Sequence, residues 1–181
     1  MLNHTGTIQI ETERLILRKF TYDDIPDMLK NWIADPNVQN EYGEPEYKTA
    51  IEVSKLLGKW ISKYESNDFY RWAIILKENN ENIGQIAFCK VYTEIETAEI
   101  EYCIGESYWG KGYATEALKV VIEFSFKEPK FHKLEAFHRA INARSGRVLK
   151  KSIMKNVETV TRFEIQNIRP DNEICYAIVR K

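Results

Sequence analysis

The spacing of apolar positions changes several times along the chain, and each change marks an element. Leu15, Ile16 and Leu17, set between charged residues, read as a first short strand over 13–18. Thr21-Tyr22-Asp23-Asp24 has the Thr-x-x-acid pattern of a helix start, in which side chains satisfy N–H groups that the first turn leaves unpaired. Asp35-Pro36-Asn37 is expected to end that helix. Residues 37–47, with Tyr42, Gly43, Glu44, Pro45 and Tyr47, then read as a loop whose aromatics either line a cleft or lie half covered at the surface. A second Thr-x-x-Glu, Thr49 to Glu52, opens a helix that carries Val53, Leu56, Leu57, Trp60, Ile61 and Tyr64 on one face.

The middle of the chain is strand-rich. Residues 70–76 and 83–89 flank a polar turn and predict a hairpin, and 97–104 predicts the next strand. A loop with two glycines leads into a helix over 114–127, followed by a strand over 133–138 and a helix over about 142–152. Residues 157–165 and 174–179 read as a closing hairpin around Arg169-Pro170-Asp171-Asn172. Strands that first pair in hairpins and then alternate with helices imply a mixed α/β sheet rather than a doubly wound parallel one. No repeat or linker divides the chain, so residues 1–181 are expected to form one domain.

Composition narrows the function classes. The 26 basic and 27 acidic residues leave a net charge of -1, which gives no overall attraction to nucleic acid or an anionic membrane. Residues 1–13 are polar, without the apolar stretch of a signal peptide, and no run approaches the roughly 18 apolar residues of a membrane helix. Cys89, Cys103 and Cys175 each lie in a strand-like apolar run, which favours buried free thiols in a reducing compartment over a redox or metal role. His4, His132 and His138 fit no metal-ligand spacing. A cytoplasmic protein with no metal, nucleic acid or membrane partner is expected.

The chemistry-bearing stretch is Trp109-Gly110-Lys111-Gly112-Tyr113-Ala114-Thr115-Glu116. A glycine-bearing loop running into a helix start aims several backbone N–H groups and the helix dipole at one spot, which suits a phosphate or pyrophosphate. The same glycines would also serve a plain tight turn. Residues 105–112 nearly spell the nucleotide-binding G-x-x-x-x-G-K-[ST], but Gly112 occupies the position whose hydroxyl would bind magnesium. A dinucleotide fingerprint fits poorly too, because Thr115 stands at its third glycine.

These motifs, in order and spacing, resemble the GNAT superfamily of N-acetyltransferases, and in particular the branch that acetylates the N-terminal residue of bacterial ribosomal proteins. The resemblance rests on Glu11 to Arg18 as opening strand, Ile83-Gly84 in the central hairpin, Ala98 to Gly105 with Tyr108 to Ala117 as acetyl-CoA signature, and Asn142 to Leu149 as second cofactor motif. It implies a mixed, mostly antiparallel sheet splayed between two parallel strands, 99–104 and 133–138. Backbone groups freed there, around Tyr102, Cys103 and Ile104, would pair with the pantetheine arm of acetyl-CoA. Trp109, Gly110, Lys111, Gly112, Tyr113, Ala114 and Thr115 would hold the pyrophosphate. Lys111 either adds charge or is simply solvated, and Asn142 fixes the cofactor, caps a helix, or does both.

The implied reaction is direct transfer of acetyl to a primary amine, with a backbone N–H near Tyr102 or Cys103 stabilising the oxyanion. Cys103 has no histidine partner in the motif and reads as packing rather than nucleophile. Glu99 and Glu101 are the candidate proton acceptors; strand alternation sets them on one face, which otherwise reads as a plain solvated face. Leu149 stands where many members place an acidic tyrosine, which leaves Ser145 or solvent to return a proton to the thiolate, if any is needed. Ser152-Ile153-Met154 replaces a usual Leu-Gly-Phe. Trp32, Tyr42, Tyr70 and Trp72 are candidates to shape an acceptor pocket, with core packing the plainer role of Trp72. Glu41, Glu44 and Glu46 would suit a cationic acceptor. Three readings stay open: acetylation of a protein N-terminus, acetylation of a small amine, and a CoA-binding module without turnover. The oligomeric state, monomer or homodimer, is not encoded in any motif.

Overall fold

The computed structural model describes residues 2–168 and 171–181. Its strands are β1 (Ile10–Glu11), β2 (Leu15–Arg18), β3 (Arg71–Leu76), β4 (Glu81–Tyr92), β5 (Thr97–Ile104), β6 (Lys133–Arg139), β7 (Lys155–Val157) and β8 (Glu173–Val179). Its helices are α1 (Ile25–Asn31), α2 (Pro36–Tyr42), α3 (Ala50–Lys63), α4 (Tyr113–Lys127), α5 (Ala143–Lys151) and α6 (Thr161–Gln166). The strands form one sheet in the order β1-β2-β3-β4-β5-β6-β8-β7. Every pairing is antiparallel except that of β5 with β6.

Alternation along the strands sends side chains to two cores. Leu15, Leu17, Trp72, Ile74, Ile86 and Ile100 pack against Ala117, Leu118, Val121 and Ile122 of α4. On the opposite face Ala73, Ile75 and Cys103 pack against Met28, Trp32, Val53 and Leu57. Thus α4 covers one face, α1 and α3 the other, and the β5–β6 junction lies between them. The Thr49–Glu52 start behaves as its pattern predicts: Thr49 Oγ1 accepts from the Glu52 N–H at 3.2 Å, and the Glu52 carboxylate accepts from the Thr49 N–H at 2.9 Å. No helix among the described residues is long and apolar enough to cross a membrane.

Three expected elements differ. Asp35-Pro36-Asn37 opens α2 instead of closing a helix: the Asp35 carboxylate accepts from the Asn37 N–H at 2.9 Å, and Pro36 sits in the first turn, where its missing N–H is harmless. Residues 37–47 are therefore helical through Tyr42, with Gly43 closing the helix at φ 80°. Residues 157–165 are not one strand. β7 ends at Val157, and Val160 and Phe163, three residues apart, form the buried side of α6, whose Thr161 N–H donates to Glu135 at 3.0 Å. The strand expected over 13–18 is β2 and begins only at Leu15, because Thr12 turns the chain between β1 and β2 through mutual bonds with Leu15. β7 does pair with β8, as a closing hairpin would; of its expected turn, Arg169 and Pro170 lie outside the described residues.

Candidate active site

β5 and β6 pair only at Thr97–Lys133, Ala98–Leu134 and Glu99–Glu135. Beyond that point β5 stays with β4 as far as Ile104, and β6 stays with β8 as far as Arg139. The two strands therefore part, and a cavity of about 340 Å³ opens between them, lined by residues 100–104 with Phe137, His138, Asn142 and Ser145. Backbone groups of β5 that point away from β4 lose their strand partner there. Trp109 Nε1 caps one of them, donating to the Ile104 carbonyl at 2.7 Å. An amide-bearing chain laid in the gap would meet the rest.

At the α4 end of the gap the walls are mostly backbone. Gly110 and Gly112 have φ of 76° and 84°, the left-handed region that glycine enters without strain. A Cβ on Gly110 would meet nothing within 4 Å, so its glycine serves conformation rather than space. Gly112 leads directly into α4, whose geometry leaves the N–H groups of Tyr113, Ala114 and Thr115 without an intrahelical acceptor. Arg14 braces this turn, donating to the Lys111 carbonyl at 2.9 Å and pairing with Glu116 at 2.6 Å, with its guanidinium 4.5 Å from the Tyr113 ring centroid. Lys111 is exposed, its ammonium 5.4 Å from the Tyr108 ring centroid. This set of donors fits a pyrophosphate. Arg14 carries no motif of its own, and only its pairing with Glu116 across the fold exposes the role.

Asn142 caps α5, its Oδ1 accepting from the Ser145 N–H at 3.0 Å. Tyr102 donates to the Ser145 carbonyl at 3.2 Å, so β5 touches α5 across the gap, and half-buried Ser145 stands on the cavity wall. Leu149 is core, 1% exposed. The mouth is crossed by α2: Arg144 of α5 pairs with Glu41 at 2.7 Å while stacking on Trp109, and Arg139 donates to the Asn40 carbonyl at 3.3 Å.

The two candidate carboxylates do share a face with Cys103, and each meets its own arginine. Glu99, 2% exposed, pairs with Arg162 of α6 at 2.6 Å and accepts from the Cys89 thiol at 3.1 Å. Burial lifts its carboxyl above the ordinary range even though Cys89 and Arg162 oppose that shift. Glu101 pairs with Arg71 at 2.8 Å. Arg71 also donates to Gln85 and lies 4.4 Å from the Trp60 ring centroid, and Gln85 in turn donates to the Tyr42 hydroxyl at 2.9 Å. Partial burial and the neighbouring Glu101 raise the Glu44 carboxyl. Burial pushes the Cys103 thiol up, which disfavours the thiolate that a nucleophile needs. Arg71 and Arg162 were invisible in the sequence because each meets its carboxylate over 30 and 63 residues of chain.

A smaller cavity of about 120 Å³ adjoins the gap on the α1–α3 side. Trp32, Tyr47, Trp60, Gln39 and Arg71 line it, and Tyr42, Glu44 and Glu101 line both cavities. Of the aromatics expected to shape an acceptor pocket, Trp32 and Tyr42 line this cavity. Tyr70 does not. It precedes Arg71 by one residue, points to the other face, and packs with Phe88 at 4.9 Å between centroids while its hydroxyl meets His4. Trp72 shares that core, its Nε1 donating to the Ile8 carbonyl at 2.7 Å.

A sheet parted between parallel strands, with N–H donors at one end of the gap and carboxylates beside it, suits a long amide-bearing molecule that ends in an anion. Residues 14–155 match the acetyltransferase (GNAT) domain, and the chain belongs to that family. It is an N-acetyltransferase of the kind that uses acetyl-CoA. It is 31% identical over 148 residues to the uncharacterized N-acetyltransferase YnaD of Bacillus subtilis, covering 82% of this chain and 83% of that one. A GNAT-family acetyltransferase from Bacillus anthracis superposes with a TM-score of 0.76 at 26% identity, covering 95% of this chain and 98% of that one. Ribosomal-protein-S5-alanine acetyltransferase from Vibrio fischeri has the same fold, with a TM-score of 0.77 at 17% identity over 95% of this chain and 96% of that one.

Proposed function

We propose that this N-acetyltransferase acetylates the α-amine of a protein or peptide N-terminus. The observation that carries the reading is the boundary shared by the two cavities. Tyr42, Glu44 and Glu101 stand between a gap wide enough for a thioester arm and a small pocket beside it. An α-amine held at that boundary has room for one substituent in the small pocket, while the polypeptide leaves through the mouth past Glu41 and Glu44. The fold shared with a ribosomal-protein acetyltransferase supports the same choice.

Acetyl-CoA supplies an activated acetyl group; its pantetheine arm follows the freed edge of β5 at 102–104, and its pyrophosphate rests on 110–115. The neutral amine attacks the thioester carbonyl, a C–N bond forms and the C–S bond breaks. The amine's proton passes to Glu101, directly or through one water, with Glu44 nearby to hold the ammonium form on arrival. Glu99 is engaged by Arg162 on the α6 side, away from the boundary, and takes no direct part in this transfer. Ser145 on the α5 wall, or solvent, returns a proton to the departing thiolate. Asn142 keeps α5 in register with the arm by capping its first turn.

Thiol release from acetyl-CoA, measured across Ala- and Ser-started peptides, polyamines, aminoglycosides and free amino acids, tests the reading. Turnover of the peptides is expected. Turnover of the free amines alone would replace it with small-amine acetylation, and tight CoA binding without turnover on any acceptor would replace it with a binding module.

A further inference from the structure

The β5–β6 ladder ends on two carboxylates. Glu99 and Glu135 are partners in its last rung, and they are 2% and 1% exposed. Like charges opposite one another on neighbouring strands repel, and burial makes the repulsion stronger. The first residues of α6 offset it. The Thr161 N–H donates to Glu135 at 3.0 Å, and Arg162, the next residue, pairs with Glu99 at 2.6 Å. Lys133 adds a second cation, 2.7 Å from Glu135. Val160 and Phe163 pack with Cys175 and Phe137, which seats α6 over β6 and β8, and Arg162 reaches from there to β5. β4 is irregular at the same level. Its rungs pass from Phe88–Ile100 to Lys90–Glu99, which leaves Cys89 as an extra residue, and the Cys89 thiol donates to the Glu99 carboxylate.

We infer that α6 clasps β5 to β6 at this rung through Arg162 and thereby fixes where the strands part. Glu99, Glu135 and Arg162 are then positioning residues for the acetyl-CoA arm. This goes beyond the acceptor reading above and rests only on its placement of the arm along 102–104. Without Arg162, Glu99 is a buried charge facing another, and the rung that opens at least cost is the one they share. A fork that slips from Glu99 toward Thr97 lengthens the gap and moves its closed end away from the donors at 110–115. The arm then loses the fit between the freed strand edge and the pyrophosphate site. The clasp also accounts for a buried carboxylate beside the cavity that the transfer of the amine's proton does not use.

The test reads the fork without an acceptor. Arg162→Met removes the cation and keeps most of the bulk. Amide hydrogen exchange of the ligand-free protein is expected to quicken at least about tenfold in residues 97–99 and 133–135, with residues 84–87, paired to β3, unchanged. The acetyl-CoA dissociation constant, from calorimetry, is expected to rise about tenfold. Adding Glu99→Gln removes the charge that Arg162 offsets, and both readouts are expected to return to within about threefold of the unaltered protein. Unchanged exchange at the fork overturns the inference, as does exchange that quickens equally across the sheet. Local quickening with an unchanged dissociation constant overturns it too, because the fork would not set the arm's place. Should Arg162→Met not fold, Arg162→Lys keeps the charge but loses the two-point grip. It is expected to quicken the same residues at least about threefold, and no change there overturns the inference. Failure of every peptide as acceptor overturns the N-terminal reading alone, since neither readout uses an acceptor.

Discussion

The α4 end of the cleft presents backbone, whereas the end beneath α2 and α3 presents side chains locked in ion pairs. Residues 110–115 offer N–H groups whose direction is fixed by two left-handed glycines and a helix start, with Arg14 and Glu116 bracing them from outside. At the other end Arg71, Glu101, Gln85 and Tyr42 hold one another in a chain. A backbone site needs only a conformation and tolerates varied side chains around it. A side-chain site is coupled, so changing one member changes the charge and position of the next. The first arrangement suits a donor that every member of the family shares, and the second suits an acceptor that differs between members.

That contrast breaks most sharply at Arg71. Arg71→Met leaves Glu101 without its partner in a setting where the two side chains are only 12% and 24% exposed. Loss of about 3 kcal/mol of unfolding free energy is expected in urea titration, with acetyl-CoA affinity little changed. A matching loss of acetyl-CoA affinity would show that the two ends are not separable. At the backbone end, Gly112→Ala places a side chain at φ 84° and a Cβ 3.4 Å from Arg14, so strain falls on the turn itself. The acetyl-CoA dissociation constant, read by calorimetry, is expected to rise about tenfold, with the melting temperature falling by a few degrees. An unchanged dissociation constant would remove the loop from the cofactor site.

The smallest effect concerns pH. Burial alone would raise the Glu116 carboxyl, but bonds from Thr12, the Arg14 N–H and the Arg14 guanidinium outweigh it and hold the group below its usual value. A depressed carboxyl contributes stability above its unfolded value of about 4.5, and that contribution is lost as pH falls through the lower folded value. Glu116→Gln should therefore flatten the acid side of the stability profile by about 1 kcal/mol or less, as read by denaturation between about pH 3 and 5. A profile that keeps its slope would mean that Glu116 is not the group responsible.

The backbone end was largely legible in the sequence. Two glycines before an amphipathic helix, and an Asn before the next one, carry their meaning within ten residues of chain. The sheet was legible as well, since alternation and turn residues are local signals. Pro36 misled because proline both stops a helix and starts one, and only the Asp35 cap decides which. Residues 157–165 misled because their apolar positions fit a strand until the burial of Val160 and Phe163 on one side of α6 shows a spacing of three. Tyr70 misled through a single step of strand register. The partners of Glu99 and Glu101 could not be read at all, because Arg162 and Arg71 reach them only through the fold.

Kinetics and binding of Glu101→Gln, set beside Glu99→Gln, test the central claim most directly. In the proposed mechanism the amine's proton leaves at the boundary between the cavities, and the backbone loop grips the donor. Glu101→Gln is expected to lower kcat on a turned-over peptide about 100-fold and to shift the acid limb of its pH profile, with the acetyl-CoA dissociation constant within about twofold. Glu99→Gln, whose carboxylate is held by Arg162 away from the boundary, is expected to lose less. Unchanged pH profiles in both variants, or a fall in acetyl-CoA affinity equal to the fall in turnover, would contradict the account.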